Sequence, residues 1–506
     1  MIQAINVSLQ YGKKILFKDV NLKFVSGECY GIIGANGSGK STFLKILSGE
    51  ITPNKGEIAI EKRKRLSVLA QDQNAFNDMT VVDTVIGGHH KLYTLMKEQE
   101  KLYALGENLT DAQGVRLADI MNEFAELDGW EAEANASTML DGMGIGNELH
   151  HTLMRDLDAK LKVKVLLARA LFGNPDILIM DEPTNNLDLK GVRWLEGFLL
   201  EFKNTVIIVS HNRHFLNKVC THICDVDYSQ ISMFVGNYDF WYESSQLILR
   251  QQKEANKKAS DRAEELKQFI ARFSANASKS KQATSRKKEL EKLTIEDIKP
   301  SSRKYPYINF DIERDLGNEV LAVEGLTLDG FFKNVSFRAN KGEKICFLGE
   351  NGLAISKLFD CIMGEVKPTG GTVMFGKTVI ASYMPANNDK FFNGVKLNLV
   401  DWLKQYSTDT HETFIRSWLG RMLFSGEEAL KQAHVLSGGE KMRCMLAKAM
   451  LARGNFLILD EPTNHLDLES ITALNEGMKR YKGVMLFATQ DEEIINTVAT
   501  RTITIK

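Results

Sequence analysis

Hydrophobic positions along this chain fall into two rhythms. Short uninterrupted apolar runs, YGII at 30–33, LSVLA at 66–70, ILIM at 177–180 and VIIV at 206–209, end in glycine or a polar residue and read as buried strands. The second rhythm is helical. Leu92, Leu95, Met96, Leu102 and Leu105, then Leu117, Ile120, Met121 and Phe124, recur at near-helical spacing either side of a G-E-N turn at 106–108. This pattern predicts an antiparallel helical arm within about 85–130.

Residues 243–317 have a different texture. SSQLILRQQKEANKKASDRAEELKQFIARF is charged and helix-permissive, SANASKSKQATS is small and polar, and RKKELEKL returns to helix formers before Pro300 and Pro306. A helix, a tip and a returning helix are expected. No run approaches 18 uncharged apolar residues and the N-terminus lacks an apolar signal segment, so the chain is expected neither to span nor to cross a membrane.

An internal repeat organises the rest. GECYGIIGANGSGKST at 27–42 returns as GEKICFLGENGLAISK at 342–357, an offset of 315, and DILIMDEPTNNLD at 176–188 returns as NFLILDEPTNHLD at 455–467, an offset of 279. The chain is a duplicated domain whose first copy carries about 36 extra residues, which the arm accounts for. The expected organisation is a first copy over 1–242, a linker over 243–317 and a second copy over 318–506. At 506 residues the length suits two large cores and an added element.

Charge narrows the partners. The 64 basic side chains nearly cancel the 65 acidic ones, so contact with nucleic acid needs a local patch. One exists: from Lys267 to Lys288 there are seven basic residues and no acid, among them Arg272, Lys279, Lys281, Arg286, Lys287 and Lys288. The six cysteines are dispersed in apolar runs, which predicts buried free thiols in a reducing compartment.

The chemistry starts at GANGSGKS. Gly34, Asn36, Gly37, Ser38 and Gly39 form a loop whose backbone N–H groups close round a polyanion, Lys40 reaches the outer phosphates, Ser41 can ligate magnesium, and Thr42 follows into the helix whose dipole adds to the site. Asp181 ends an apolar strand where a magnesium-holding carboxylate is expected, and Glu182 is positioned to orient or deprotonate the attacking water. His211 ends the next strand, within reach of the γ-phosphate or the water, and Gln71 is a candidate for the magnesium or water shell. Tyr11 could stack on the adenine. ATP and Mg2+ are the expected ligands.

With DEPTNNLD, DEPTNHLD and LSGGEKMR at 436–443, these elements resemble the ATP-binding-cassette superfamily, and narrow to its ABC-F subfamily of tandem-cassette translation factors. The resemblance covers nearly all of the chain. It implies an α/β fold of two tandem P-loop cassettes with a helical arm and a charged helical-hairpin linker. It also implies that the cassettes pair head to tail within a monomer. The first ATP would then face Ser437, Gly438, Gly439 and Glu440 of the second cassette.

The second composite site departs from the pattern. Lys40 aligns with Ile355, Gly39 with Ala354 and Ser41 with Ser356, while the opposing motif reads LDAKL, with Asp158 where the serine belongs. Gln490 replaces the switch histidine and Ala386 the magnesium-shell glutamine, yet Asp460 and Glu461 survive. Losing an ammonium that partners phosphate costs about 2–3 kcal/mol, so this site is expected to be catalytically dead.

What the resemblance implies for function is an ATP-gated factor of the cytoplasm that binds the ribosome, with its linker near peptidyl-tRNA and rRNA and its arm near the L1 stalk. The competing readings are an ATP-gated nucleic-acid or protein scaffold with negligible turnover and, more remotely, the ATPase subunit of a transporter.

Overall fold

The computed structural model describes residues 1–12, 14–70, 72–106, 109–185, 187–273, 285–288, 290, 303–349 and 352–505. Its first lobe is built on a six-stranded sheet ordered Leu66–Val68, Ile177–Asp181, Thr205–Val209, Cys29–Gly34, His222–Asp227 and Gln230–Val235. All pairings are parallel except the last. Both faces are covered, which is why the central strands show no polar alternation. Ile177 and Ile179 face a core shared with Phe17 and Phe43, whereas Leu178 and Met180 face one shared with Val165 and Leu166.

A three-stranded antiparallel sheet, Lys14–Phe24, Ile2–Tyr11 and Lys55–Ile60, closes the first of these cores over the helix Lys40–Leu47. The second lobe repeats the plan with a five-stranded parallel sheet, Ala381–Met384, Phe456–Asp460, Val484–Ala488, Lys344–Gly349 and Arg501–Ile505, and its own antiparallel triplet.

Two helices, His90–Leu105 and Asp111–Glu126, occupy the stretch read as an arm. Lys91 pairs with Glu123 at 2.7 Å and Glu98 with Arg116 at 2.7 Å, so one helix descends as the other rises. Their apolar seam, Leu92, Leu95, Leu102, Ile120 and Phe124, is continuous with the helical core of the first lobe.

The helix Tyr238–Phe273 leaves the first lobe from a base anchored by buried Tyr238 and Trp241. The stretch 303–317, assigned by its texture to the linker, is held on the second lobe. Ile308 and Phe310 lie in its core, and the Tyr307 and Glu313 N–H groups donate to the Arg421 and Arg453 carbonyls at 2.9 and 3.0 Å.

The lobes meet through ion pairs between the helices Arg213–Val219 and Glu492–Val498 and their neighbours. Arg213 contacts Glu493 at 3.3 Å, His214 contacts Glu492 at 3.1 Å, and Arg193 contacts Glu492 at 3.1 Å. All six cysteines are buried free thiols, and no helix among the described residues is long and apolar enough to cross a membrane.

Candidate ATP sites between the lobes

In the first lobe the phosphate loop takes a shape that only glycine accepts without strain. Gly34, Gly37 and Gly39 have φ of 153°, 75° and 104°, and a Cβ on Gly34 would lie 2.6 Å from the Val226 carbonyl oxygen. Lys40 then opens the helix, its buried ammonium donating to the carbonyls of Gly34 at 2.7 Å and Ala35 at 3.2 Å. Burial holds this ammonium below its ordinary pKa, opposed by Glu182, Glu469, Asp467 and Asp181.

Glu182 follows Asp181 at the strand end in a left-handed backbone conformation, φ 51°, fixed by its N–H donating to the Val209 carbonyl. Burial and the Asp181 charge push its carboxyl up to about 8, while the His211 N–H donates to it at 3.2 Å. Burial, with Lys40 adding to it, pushes His211 down to about 3. Its Nε2 stands 3.5 Å from Glu182 Oε1. A carboxyl near neutrality beside an uncharged imidazole is suited to receiving a proton from water.

Across the interface, Ser437 caps the helix Gly438–Leu451, and its hydroxyl and Glu440 form a reciprocal capping box. Glu440 is thereby spent on its own helix, bonding the Ser437 N–H at 2.9 Å and Lys431 at 2.7 Å. A Cβ on Gly439 would stand 3.8 Å from the Asn36 side-chain nitrogen, so the phosphate loop of one lobe and the LSGG motif of the other share one cleft.

The sequence reading overlooked Asp467. It caps the helix Leu468–Arg480, yet its charge reaches Lys40 and His211 of the opposite lobe. The signal was the last aspartate of DEPTNHLD, whose role exists only once the lobes are paired. Tyr11 ends its strand largely exposed. Gln71 lies outside the described residues.

The second cleft differs in backbone as well as in side chains. Its helix, Gly352–Ile362, begins at the position aligned with Gly37, three residues earlier than in the first lobe. The equivalents of Ser38 and Gly39, now Leu353 and Ala354, are helical rather than looped. Ala354 and Ile355 are buried against the lobe's core. The sequence predicted a lost lysine; the structure adds that the anion-cradling loop is wound into a helical turn.

Asp158 caps the helix Ala159–Leu171 through the Leu161 N–H at 2.8 Å. Its charge is therefore partly used locally. Lys160 acts on Asp460 and Glu461, which burial pushes up to about 6 and about 8. A cavity of about 1170 Å3 runs between the lobes, lined by Asp158, Lys160, Ile355, Asp460, Glu461 and Gln490 of this site and also by Glu182 and His211 of the first.

The comparisons with known proteins agree with this arrangement. The family described as ABC transporter matches residues 17–185 and 332–464, and a related extension family matches 224–310. The uncharacterized ABC transporter ATP-binding protein YkpA of Bacillus subtilis is 57% identical over all of this chain and 94% of its own length. The ABC transporter F family member 2 of Arabidopsis thaliana is 31% identical over 99% of this chain and 76% of its own. This chain belongs to the ABC-F family. Among solved structures, an archaeal ribosome recycling factor in complex with a ribosomal stalk protein matches this ABC-F fold with a TM-score of 0.62 at 17% identity, over 99% of this chain and 87% of that one.

ABC-F cassettes bind ATP, with magnesium generally required. Ser41 and Asp181 are hard oxygen donors suited to that ion. Their counterparts Ser356 and Asp460 are hydrogen-bonded to each other, so the shared fold brings this donor pair together. Among the described residues no group of three His, Cys, Asp or Glu could hold a metal ion.

The basic strip of this ABC-F protein is only partly described. Arg286, Lys287 and Lys288 are exposed on a short helical stretch, the Arg272 side chain is not described, and Lys279 and Lys281 lie outside the described residues.

Proposed function

We propose that this ABC-F ATPase is a ribosome-associated translation factor that hydrolyses ATP at the first composite site, leaves the second without turnover, and acts on peptidyl-tRNA or stalled ribosomes. The observation that carries the reading is the shared cleft, with Gly439 backed onto Asn36 and the Asp467 charge acting on Lys40 and His211. ATP held there is gripped by Lys40 and loop N–H groups on one side and by the helix start at Ser437 on the other, so it stabilises the closed pair of lobes.

Water attacks the γ-phosphorus, its proton passes to Glu182, and the bond from that phosphorus to the β–γ bridging oxygen breaks, giving ADP and phosphate. His211 stays uncharged and orients the water or a γ-oxygen. Bound through Ser41 and Asp181, magnesium would neutralise charge on the phosphate oxygens. Loss of the γ-phosphate bridge lets the lobes part and moves the linker between them.

Support for the ribosome comes from the F-type relatives and from the ribosome recycling factor that shares the fold. Arg286, Lys287 and Lys288 give the linker cations suited to RNA phosphates. In a ribosome-pelleting assay Glu182→Gln should retain ATP binding and co-sediment with ribosomes only when ATP is present; equal pelleting with and without ATP sinks the reading. Lys287→Glu with Lys288→Glu should weaken pelleting and leave basal hydrolysis intact, and loss of basal hydrolysis would count against the linker as the contact.

A further inference from the structure

The two lobes present equivalent segments to each other. Strand Thr205–Val209 leads to His211, and Asn212 then caps the helix Arg213–Val219 by accepting from the Phe215 N–H at 3.0 Å. In the second lobe Val484–Ala488 leads to Gln490, and Asp491 caps Glu492–Val498 by accepting from the Ile494 N–H at 3.1 Å. The offset of 279 that relates the copies carries Arg213 onto Glu492 and His214 onto Glu493, so equivalent first turns are basic in one lobe and acidic in the other. The contacts cross over: Arg213 meets Glu493 at 3.3 Å and His214 meets Glu492 at 3.1 Å. Two identical copies would set like charges face to face here.

Arg213 does more than close an ion pair. A cation in the first turn stands at the wrong end of the helix dipole, so its own helix does not favour it. One terminal nitrogen reaches both Glu493 oxygens, at 3.3 and 3.5 Å, and the other donates to the Leu468 carbonyl at 3.4 Å, where the helix after Asp467 opens. The guanidinium also lies 5.4 Å from the ring of Tyr238, the first residue of the linker helix. Its Nε is buried with no hydrogen-bond partner among the described residues. One planar group thus serves three partners without satisfying all its donors, the compromise of a shared junction rather than of a dedicated ion pair.

Two residues upstream, His211 is held on Glu182: its backbone N–H donates to Oε2 at 3.2 Å and its Nε2 lies 3.5 Å from Oε1. Asn212 between them lines the cavity with His211 and Glu182, and its N–H is tied back to the Ser210 hydroxyl at 3.1 Å. The strand end, His211 and the first helical turn therefore form one short unit, and what fixes Arg213 fixes where the imidazole stands. We propose that Arg213 is a positioning residue of the first ATP site: it holds the start of its helix to Leu468 and Glu493 of the second lobe and to Tyr238 at the linker root, so the placement of His211 follows both. Displacing the linker root then changes hydrolysis without any contact to the nucleotide. The inference rests on the first site being the hydrolysing one.

The test is steady-state ATP hydrolysis by the full-length chain, reading KM and kcat separately, with the thermal midpoint measured alongside. Arg213→Lys keeps a charge for Glu493 and gives up the planar group shared with Leu468 and Tyr238, so kcat should fall about fivefold or more with KM within about twofold. Tyr238 belongs to the linker helix rather than to the cavity lining, and Tyr238→Leu should lower kcat in the same direction. In the Arg213→Lys background Tyr238→Leu should lower kcat no further. An arginine that only joined the lobes would, when replaced, raise KM and lower the thermal midpoint while leaving kcat at saturating ATP.

Parental kcat in folded Arg213→Lys overturns the proposal, and so does a rise in KM that matches or exceeds the fall in kcat. A double variant whose kcat falls by the product of the two single effects also overturns it. Glu493→Gln keeps an acceptor and removes the charge that holds Arg213, so it should lower kcat at parental KM. It decides the question if either other variant fails to fold, parental kcat then overturning the proposal. Glu182→Gln is assayed in parallel. If it hydrolyses ATP at the parental rate, the first-site reading fails and takes this inference with it; if it is inactive while Arg213→Lys keeps the parental kcat, only the role of Arg213 fails.

Discussion

Glu182 and Glu461 occupy the same place in two copies of one fold. Each follows a strand-ending aspartate, each has a left-handed backbone with φ of 51° or 48°, and burial with that aspartate pushes each up to about 8. Around Glu182 stand a looped phosphate cradle, a buried lysine and a histidine; around Glu461 stand a helical turn, an isoleucine and a glutamine. The scaffold that shapes this carboxylate is thus separable from the groups around it.

The sharpest way to break this comparison is to remove the same element from each site. Lys40→Ala should lower kcat/KM for ATP hydrolysis by about a hundredfold or more, as losing a charge-assisted phosphate contact would. Ile355→Ala should leave the activity of the folded protein within about twofold, its effect falling on stability because Ile355 is buried core. Comparable losses of hydrolysis in both would make the sites equals.

A smaller effect tests the loop itself. Gly39→Ala forces a side chain onto φ of 104° and into contact with Phe17 at 3.3 Å. It should destabilise by about 1–2 kcal/mol in denaturant titration. Ala354→Gly, in the wound counterpart, should cost about 0.5–1 kcal/mol for the opposite reason, the loss of a good helix former. Equal and negligible changes would mean that the two backbones do not differ in solution.

The smallest effect is on pH dependence without nucleotide or magnesium. Glu182 binds its proton more tightly folded than unfolded, so it lowers stability as pH rises from about 4.5 to about 8. His211 binds its proton less tightly folded, so it lowers stability as pH falls from about 6.5 to about 3. Glu182→Gln should flatten the first slope and His211→Asn the second. Gln490→Ala should change neither, since the second site has no imidazole.

Much of this was legible in the sequence because it is contiguous. The glycines of GANGSGKS and the carboxylates of DEPTNNLD sit where strands end, so local pattern and chemistry coincide. Asp467 was not legible, since its charge acts on Lys40 and His211 of the other lobe, far away in sequence. The turn at Gly352–Ile355 was missed for another reason: GENGLAIS was read as a phosphate loop that had lost its lysine and last glycine, although leucine in place of serine and alanine in place of glycine also favour winding. Polar texture likewise hid the apolar anchors Ile308 and Phe310.

The helix Tyr238–Phe273 has 36 residues, roughly 54 Å at 1.5 Å per residue. Its root is clasped by Arg213, whose guanidinium lies 5.4 Å from the Tyr238 ring while also bonding Glu493 of the opposite lobe. A tilt of about 5° at that root sweeps the far end through about 5 Å, the width of a single nucleotide stack and a half. The protein therefore carries a lever whose short arm rests on the seam between its lobes, and sub-ångström adjustments at that seam arrive at the distal end magnified to the dimensions of a base.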